Sequence, residues 1–312
     1  MADRCGIRQV SEAAEWEALF SRVDHPHLVQ SWAYGEAKQA SGGWLARRRV
    51  FEIEGEPVAI CQILDKSLAG IRWASRLNRG PLFLNVDAGE DVIRDVYGAL
   101  RRGWRHLHGV LLLAPALNAD PDNYRMMTEI GFRDRHVAGW RSACLDLRLD
   151  EDQLRKNLTH NWRNRLAGAE RAGLELRISN SSQDVEWIVD RHVENMREQD
   201  FVGPKPALVR ALFRAAPDNS TVVQARLGDQ PVGGLVAYRF GDTAEAYIGW
   251  FGREGRKANV GNLLYWRAIL EMRTQGCRCF DLGGYSRDDK YGHFKRNMNG
   301  MEYELLNEWL AF

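Results

Sequence analysis

Residues whose types could do chemistry are concentrated near the end of the chain, where an apolar strand runs into a double glycine and then a Phe-Lys pair. They are Asp281, Gly283, Gly284, Tyr285, Phe294 and Lys295. Paired glycines allow positive φ values or a close approach of the backbone to a ligand, and ligands often bind at the carboxyl ends of strands. The lysine could then hold a phosphate or a developing oxyanion. The alternative is a surface turn that carries an exposed, solvated lysine.

Two residues in this part of the chain are candidates for contact with a substrate. Asp281 could orient a nucleophilic amine or cap the following turn. Trp250 ends a predicted strand beside a glycine-containing turn, and its ring could stack on a base or sugar or pack in the core. Asp288 and Asp289 are interpreted as a solvated turn. Because the sequence contains no G-x-S-x-G elbow and no P-loop, this segment offers positioning and charge rather than a covalent nucleophile.

Composition predicts an ordinary globular protein with one large domain or two of usual size. The chain has 312 residues, 45% hydrophobic and 27% charged, with a formal net charge of +1. Any contact with nucleic acid would therefore need a local basic patch. Residues 1–20 carry acids and lack the apolar stretch of a signal peptide. The longest apolar stretch, residues 109–117, is too short to span a bilayer, and we expect a soluble, cytoplasmic protein without membrane insertion.

The cysteines predict reduced thiols rather than disulfides or a metal site. They are Cys5, Cys61, Cys144, Cys277 and Cys279. An odd number without paired spacing is typical of a reducing compartment. Cys277 and Cys279 flank one residue, but no second pair of ligands accompanies them. We expect no metal and no bound cofactor.

The same order of elements is predicted twice along the chain. Each half contains a hairpin whose second strand opens with Pro-Val, then a strand, a helix that ends before a glycine, and an apolar strand. The segments are 51–63, 71–77, 90–107 and 110–114 in the first half, and 222–240, 245–251, 261–274 and 278–282 in the second. This repetition predicts two copies of one mixed α/β domain, joined near residues 149–153.

A basic helix is predicted after the joint. In helical projection its apolar stripe comprises Leu154, Leu158, Trp162, Leu166 and Ala169. Arg165 falls inside this stripe, where an arginine must snorkel, pair with a carboxylate or hold an anion. Arg163 falls on the opposite side, either on a solvated face or as a ligand of phosphate.

Several segments together resemble the Fem-type aminoacyltransferases, which are tRNA-dependent peptidoglycan-bridge enzymes with two acetyltransferase-like (GNAT) domains. FDLGG…YGHFKR, residues 280–296, is similar to the C-terminal signature of that family. Further matches are Gln30–Lys38, Arg79-Gly80-Pro81, Trp162–Arg165 with Ala169–Leu174, and Asn262–Trp266. Asn161 replaces a usual basic residue, and the heptads of a coiled-coil arm are missing. The resemblance covers nearly the whole chain and implies an α/β fold with mixed sheets in two tandem GNAT-like domains.

The resemblance also implies residue roles. Lys38 and either Arg163 or Arg165 would bind the phosphates of the acceptor, and Phe294 and Lys295 would lie at the aminoacyl site. The substrate-binding candidates are Tyr34, Lys38, Arg79, Arg163, Arg165, Trp250, Asn262, Gly283, Gly284 and Tyr285. The catalytic candidates are Asp281, Phe294 and Lys295. Aminoacyl-tRNA is the implied co-substrate, and the implied acceptor is a small molecule or peptidoglycan precursor that carries an amine.

The turn before the second long helix bears on the identity of the acyl donor. Acyl-CoA-dependent GNAT enzymes hold pyrophosphate with a Q/R-x-x-G-x-G/A turn at a helix N-terminus. Here the turn reads Arg256–Asn262, with Asn259 in place of the first glycine. Asn tolerates the left-handed conformation, so the turn could survive the exchange. The imperfect match favours aminoacyl-tRNA over acyl-CoA.

We therefore expect an aminoacyltransferase with an acceptor-side domain at residues 1–149 and a donor-side domain at residues 150–312. The C-terminal strand is expected to pack across the domains. An amine would attack the ester carbonyl of the donor, aided by positioning and oxyanion stabilisation. The alternatives are an acyl-CoA-dependent N-acyltransferase on the same fold and a non-catalytic binding module.

Overall fold

The computed structural model of the protein describes residues 4–68, 70–85, 88–104, 109–286 and 290–312. Clustering of contacts divides the chain into two compact units. The first unit comprises Met1–Arg141 and Tyr303–Phe312, and the second comprises Ser142–Glu302. Asp288 and Asp289, interpreted above as a solvated turn, lie outside the described residues.

Both units contain helices and strands. The first part of the chain contains β1 (Cys5–Val10), α1 (Ala13–Phe20), α2 (Trp32–Gly42), β2 (Leu45–Ile53), β3 (Glu56–Leu68), β4 (Ile71–Asn78), β5 (Leu82–Phe83), α3 (Glu90–Arg102), β6 (Val110–Ala114), α4 (Pro121–Ile130) and β7 (Arg133–Asp134). The second part contains β8 (Arg141–Asp146), α5 (Glu151–Asn157), α6 (His160–Glu170), β9 (Glu175–Ser179), α7 (Ser182–Gln199), α8 (Pro206–Ala215), β10 (Ser220–Leu227), β11 (Gln230–Phe240), β12 (Thr243–Phe251), α9 (Arg253–Lys257), α10 (Val260–Thr274), β13 (Cys279–Asp281), α11 (Lys290–Arg296) and β14 (Met301–Glu304). The last strand is β15 (Trp309–Ala311).

The sheet of the first unit has the order β1-β2-β3-β4-β6-β15-β7, with β5 paired to β3. Strands β2, β3 and β4 are antiparallel neighbours, whereas β6 runs parallel to β4. Helix α3 begins with two acids and ends with two arginines, an arrangement that complements the helix dipole. Its apolar face contributes Tyr97 and Leu100 to a core that also contains Phe51, Ile63 and Leu111.

The sheet of the second unit has the order β14-β8-β13-β12-β11-β10-β9. Strands β10, β11 and β12 are antiparallel neighbours, and β13 runs parallel to β12. Helices α6 and α10 contribute Trp162 and Leu264 to a core with Phe280. Residues of α7 form a second cluster with Ile248 of β12.

The predicted duplication is confirmed by the strand order. The series β2-β3-β4-α3-β6 and the series β10-β11-β12-α10-β13 have the same sequence of directions and the same neighbours. The final strand of each series has a further antiparallel neighbour. This neighbour is β15 beside β6 in the first unit and β8 beside β13 in the second. The mixed α/β fold class is therefore confirmed. Among the described helices, none has both the length and the apolar content to cross a bilayer.

Candidate functional site

Lys295 lies at the centre of the residues gathered at the end of β13. Its side chain is on α11 and the residue is only 7% exposed. Its Nζ donates hydrogen bonds to Gly283 O at 2.9 Å and Gly284 O at 3.1 Å. The alternative of an exposed, solvated lysine does not hold, because carbonyl groups that follow the strand bind the ammonium group inside the unit.

The turn that supplies these carbonyls requires a glycine. Gly283 has a φ of +76°, which disfavours any residue with a Cβ atom. A Cβ atom at this position would lie 2.6 Å from Ala246 O and 3.3 Å from Lys295 Nζ. Gly283 therefore permits both the conformation of the turn and the approach of the lysine.

Asp281 holds the start of the same turn. It is the last residue of β13 and is 3% exposed. Its Oδ1 accepts hydrogen bonds from Gly283 N at 2.7 Å and from the Ser142 hydroxyl group. Asp281 thus caps the turn, which is one of the two roles expected for it, and Ser142 is a partner that sequence reasoning missed.

The pairing of β12 with β13 ends at this carboxylate. Their parallel pairing covers three residue pairs and ends where Glu245 faces Asp281, while β12 continues to Phe251. The pairing of β12 with β11 shifts register between Val236 and Ala237. This shift marks a bulge in β12 just beyond its last pair with β13. Glu245 is also buried, and no sequence signal placed it beside Asp281.

The residues next to this pair are cysteines. Cys144 on β8 faces Asp281. A hydrogen bond with Cys279, then burial, and then the charges of Asp281 and Glu245 raise the pKa of Cys144. Since the thiolate is the nucleophilic form of cysteine, Cys144 is held as an unreactive thiol.

Phe294 connects α11 to two other helices. Its ring centroid lies 5.8 Å from that of Trp162 on α6 and 5.3 Å from that of Tyr265 on α10. Burial, with smaller contributions from Tyr291 and Asp281, raises the pKa of Tyr265. This aromatic cluster fixes α11 and hence the position of Lys295.

The N-terminus of α10 retains the conformation of an anion-binding turn. Asn259, which replaces the expected glycine, has a φ of +55°, so the prediction that asparagine would tolerate this conformation is confirmed. Asn262, in the first turn of the helix, is 4% exposed. Within the described part of the chain its Nδ2 has no hydrogen-bond partner, which is uncommon for a buried amide.

The predicted basic helix is two helices, and this changes the placement of its arginines. Leu158 is extended, and the Thr159 side chain caps α6 by accepting a hydrogen bond from Trp162 N. The break shifts the helical phase, so Arg165 is exposed and its expected place in the apolar stripe was wrong. Arg163 donates through Nη1 to Lys156 O at 2.7 Å and to Leu158 O, and it therefore closes the end of α5.

Trp250 and Tyr285 lie in apolar surroundings of the second unit. The Trp250 ring makes an edge contact with Trp187 of α7 at a centroid distance of 6.0 Å. The Arg191 guanidinium lies 5.8 Å from the Trp250 ring centroid. Tyr285 is partly buried against the core that contains Phe280. The packing role considered for Trp250 accounts for its contacts.

The first unit contains Tyr34, Lys38 and Arg79. Tyr34 is buried in α2, and Lys38 Nζ lies 5.3 Å from the ring centroid of Trp44. The Arg79 guanidinium is buried 4.2 Å from the ring centroid of Trp140. Burial, and then the charge of Arg79, lower the pKa of His27 well below its usual value.

The structure therefore brings only part of the predicted set together. Direct contacts join Asp281, Gly283, Gly284 and Lys295. Phe294 anchors α11, the helix that carries Lys295. Trp250 packs against α7, Arg165 is exposed, and Arg163 closes α5. This group can stabilise negative charge and position a reacting carbonyl at the end of β13.

Comparisons with known proteins agree with this architecture. Residues 154–296 match the acetyltransferase (GNAT) domain family. The crystal structure of FemX superposes with a TM-score of 0.80 at 13% identity, covering 98% of this chain and 97% of that one. The chain has the Fem-type tandem-GNAT fold. A tandem GNAT protein from the clavulanic acid biosynthesis pathway also superposes, with a TM-score of 0.56 at 14% identity and 98% coverage of both chains.

A further neighbour shares this tandem-GNAT fold. The C-terminal domain of a putative lysylphosphatidylglycerol synthetase from Agrobacterium fabrum superposes with a TM-score of 0.57 at 13% identity, covering 96% of this chain and 92% of that one. No curated sequence matches the chain significantly. The protein is an acyltransferase. The part of the chain that matches the GNAT domain family contains Asn262, Asp281 and Lys295.

Proposed function

We propose that this protein is an aminoacyltransferase that moves an aminoacyl group from tRNA to an amine and forms an amide bond. The observation that carries the proposal is the buried Lys295 ammonium group, bound to the carbonyls of Gly283 and Gly284. It provides a fixed positive charge near the point where the pairing of β12 with β13 ends. Such a preorganised charge stabilises an oxyanion or a donor phosphate without reorganisation during the reaction.

In the proposed reaction the acceptor amine attacks the ester carbonyl carbon of the donor. The new C–N bond forms, the C–O bond to the terminal ribose breaks, and the proton lost by the amine passes to the ribose oxygen. Lys295 stabilises the negative charge that develops on the carbonyl oxygen. Asp281 keeps the turn in place through its hydrogen bond with Gly283 N, and no covalent intermediate is needed.

We assign recognition of the acceptor to the first unit. Lys38 and Arg79 each lie beside a tryptophan ring, Trp44 and Trp140 respectively. A cation held against an aromatic face has a restricted orientation, which suits binding of the anionic groups of an acceptor. Because tRNA is aminoacylated in the cytoplasm, the proposed donor implies a cytoplasmic reaction.

A second candidate function is N-acyl transfer from acyl-CoA. It is favoured by the left-handed Asn259 and by the unpaired Asn262 Nδ2 at the start of α10. Backbone N–H groups at a helix N-terminus bind pyrophosphate. The structure of the tandem GNAT protein from the clavulanic acid pathway is described as one without AcCoA, which makes this donor a necessary comparison.

The deciding experiment compares the two donors with the same purified protein and a panel of amines. One reaction contains tRNA charged with a labelled amino acid, and the other contains labelled acetyl-CoA. The proposal expects label in a base-stable amide only with aminoacyl-tRNA. Transfer from acetyl-CoA alone would replace the proposal by the second candidate, and Asn262→Ala should then raise the KM for CoA.

A further inference from the structure

Three arginines share one face of the first unit's sheet around a single buried carboxylate. Arg47 and Arg49 lie two residues apart on β2, and Arg72 lies on β4. Their register partners on β3 are Ile63, Cys61 and Ser67. Asp65 lies on the same face of β3, and we call these four residues the arginine cluster.

Asp65 is already engaged by two members of the arginine cluster. It is 3% exposed, and it accepts a hydrogen bond from Ser75 Oγ at 2.5 Å. Its Oδ2 forms an ion pair with Arg47 Nε and lies 3.5 Å from Arg72 Nη1. Arg47 and Arg72 therefore share one carboxylate.

Arg49 receives no partner of its own. In the described ranges, the only carboxylate whose charge acts on it is that of Asp65, and it makes no hydrogen bond or ion pair there. Burial, together with the charges of Arg47 and Arg72, lowers the pKa of Arg49. Arg47 Nη2 is likewise buried without a hydrogen-bond partner in that part of the chain. Within the described residues, Arg49 and the Nη2 atom of Arg47 therefore have no acceptor of their own.

The opposite face of β2 carries an arginine that has a carboxylate partner of its own. Arg48 is buried there and pairs with Glu36 at 2.8 Å. Its Nη2 also donates to Trp32 O at 3.1 Å, and its guanidinium lies 3.4 Å from the Trp32 ring centroid. A buried guanidinium without such partners is costly, so the excess charge of the arginine cluster requires an explanation.

We propose that the arginine cluster binds a phosphate dianion, either as free phosphate or as the phosphate group of a larger metabolite. A phosphate dianion offers oxygens to both Arg49 and Arg47 Nη2, and guanidinium groups match phosphate oxygens in a bidentate manner. Arg49 and the Nη2 atom of Arg47 are the principal donors. Arg72 is held by Asp65 and by the Trp104 ring, whose centroid lies 5.1 Å away.

This site is independent of the proposed aminoacyl transfer. It contains none of the residues assigned to the donor or the acceptor, and Lys38 and Arg79 have other neighbours. A protein that used acyl-CoA would possess the same arginine cluster. Binding to the cluster can therefore be tested without any assay of transfer.

The test measures thermal unfolding and calorimetric binding in phosphate and in chloride at matched ionic strength. A ligand of the folded state raises Tm by mass action. We expect phosphate at ten times its Kd to raise the wild-type Tm by about 3 °C relative to chloride. Arg49→Gln should lose this shift while its Tm in chloride stays equal or rises, because a repulsive charge is removed. Arg8→Gln, on neighbouring β1 and paired with Glu15 and Glu52, is the control and should keep the shift.

Two further measurements keep the proposal open to refutation. Arg49→Lys retains the charge but not the planar fork, so it should bind phosphate several-fold more weakly. Inorganic phosphate and a nucleoside diphosphate are compared to distinguish the sources, and tighter binding of either one supports the site. The proposal is overturned if wild type shows no shift beyond chloride. It is also overturned if Arg49→Gln loses stability in chloride and keeps the full phosphate shift, since the arginine would then be structural.

Discussion

The two units repeat one order of strands but end their last parallel pair differently. In the first unit β4 and β6 remain paired over five residues, up to Asn78 and Ala114, where both strands end. In the second unit β12 and β13 pair over three residues, and β12 then continues to Phe251 paired with β11. The last parallel pairing of the second copy therefore ends before β12 does, whereas in the first copy both strands end together.

The carbonyl groups after these strands also find different partners. Ala114 O accepts a hydrogen bond from the backbone of Gly80 at 3.4 Å. Gly283 O and Gly284 O accept hydrogen bonds from the Lys295 ammonium group. At the strand end of the first unit a backbone N–H group donates to the carbonyl, whereas in the second unit an ammonium group donates to the carbonyls. The difference agrees with the proposal that the second unit carries the chemistry.

The largest effect on stability is expected at the turn that distinguishes the two units. Gly283→Ala combines a positive φ with a Cβ atom 2.6 Å from Ala246 O. We expect it to lower the free energy of unfolding by about 3 kcal/mol, measured by urea denaturation. Ala114→Gly at the strand end of the first unit is the comparison and should cost about 1 kcal/mol or less. Equal costs at the two positions would refute the contrast between the strand ends.

A smaller effect separates the two arginines of α6. Arg163→Ala removes hydrogen bonds to Lys156 O and Leu158 O, so it should destabilise the protein by about 1–2 kcal/mol. Arg165→Ala removes an exposed side chain and should change stability by less than about 0.5 kcal/mol. Chemical denaturation of both variants checks the assignment. A larger loss of stability for Arg165→Ala than for Arg163→Ala would contradict the break at Leu158 and favour the continuous helix predicted from the sequence.

The smallest and most gradual effect is expected in the dependence of stability on pH, which compares one buried histidine in each unit. His27 is buried in the first unit, with its pKa lowered well below the usual value, and His192 in the second is lowered as well. A lowered pKa means that the unfolded chain binds the proton first, so stability falls as the pH drops below about 6.5. His27→Gln should reduce this slope, which can reach about 1.4 kcal/mol per pH unit, by more than His192→Gln. Wild-type stability that stays constant between pH 6.5 and 5 would contradict both shifts.

Local patterns were sufficient to predict most of the fold. The Pro-Val hairpins, the glycines after the long helices and the apolar strand before Asp281 each depend on residues close in sequence. They predicted both copies of the domain and the order of strands within them. The end of the first long helix was predicted at Leu107, which lies outside the described residues, and α3 ends at Arg102.

The missing parts of the site depend on pairing across strands. Glu245, Ser142 and Cys144 meet Asp281 only through the register of three strands, which no spacing in the sequence reveals. Arg165 was misplaced because one extended residue, Leu158, changed the phase of the helix. The burial of Lys295 could not be predicted because its partners are backbone carbonyls, which have no sequence signature.

Each unit contains a lysine bound to the carbonyls of a double glycine, and this pair supplies the most direct test. Lys66 of the first unit donates to Gly42 O and, at 3.3 Å, to Gly43 O at the end of α2. Lys295 does the same after β13, but it is buried beside Asp281. If charge at the end of β13 drives the reaction, only the second lysine matters for transfer.

The measurement is single-turnover transfer from labelled aminoacyl-tRNA at saturating acceptor, with thermal unfolding recorded for each variant. Lys295→Ala should lower the rate by about 10²–10³, comparable to the loss of one oxyanion-hole donor, and Lys295→Arg should rescue it only in part. Because the lysine is buried, Lys295→Ala should also lose about 2 kcal/mol of stability, so rates are measured well below its Tm. Lys66→Ala should transfer at the wild-type rate. A wild-type rate in folded Lys295→Ala, or an equal loss in Lys66→Ala, would contradict the assignment of the chemistry to the second unit.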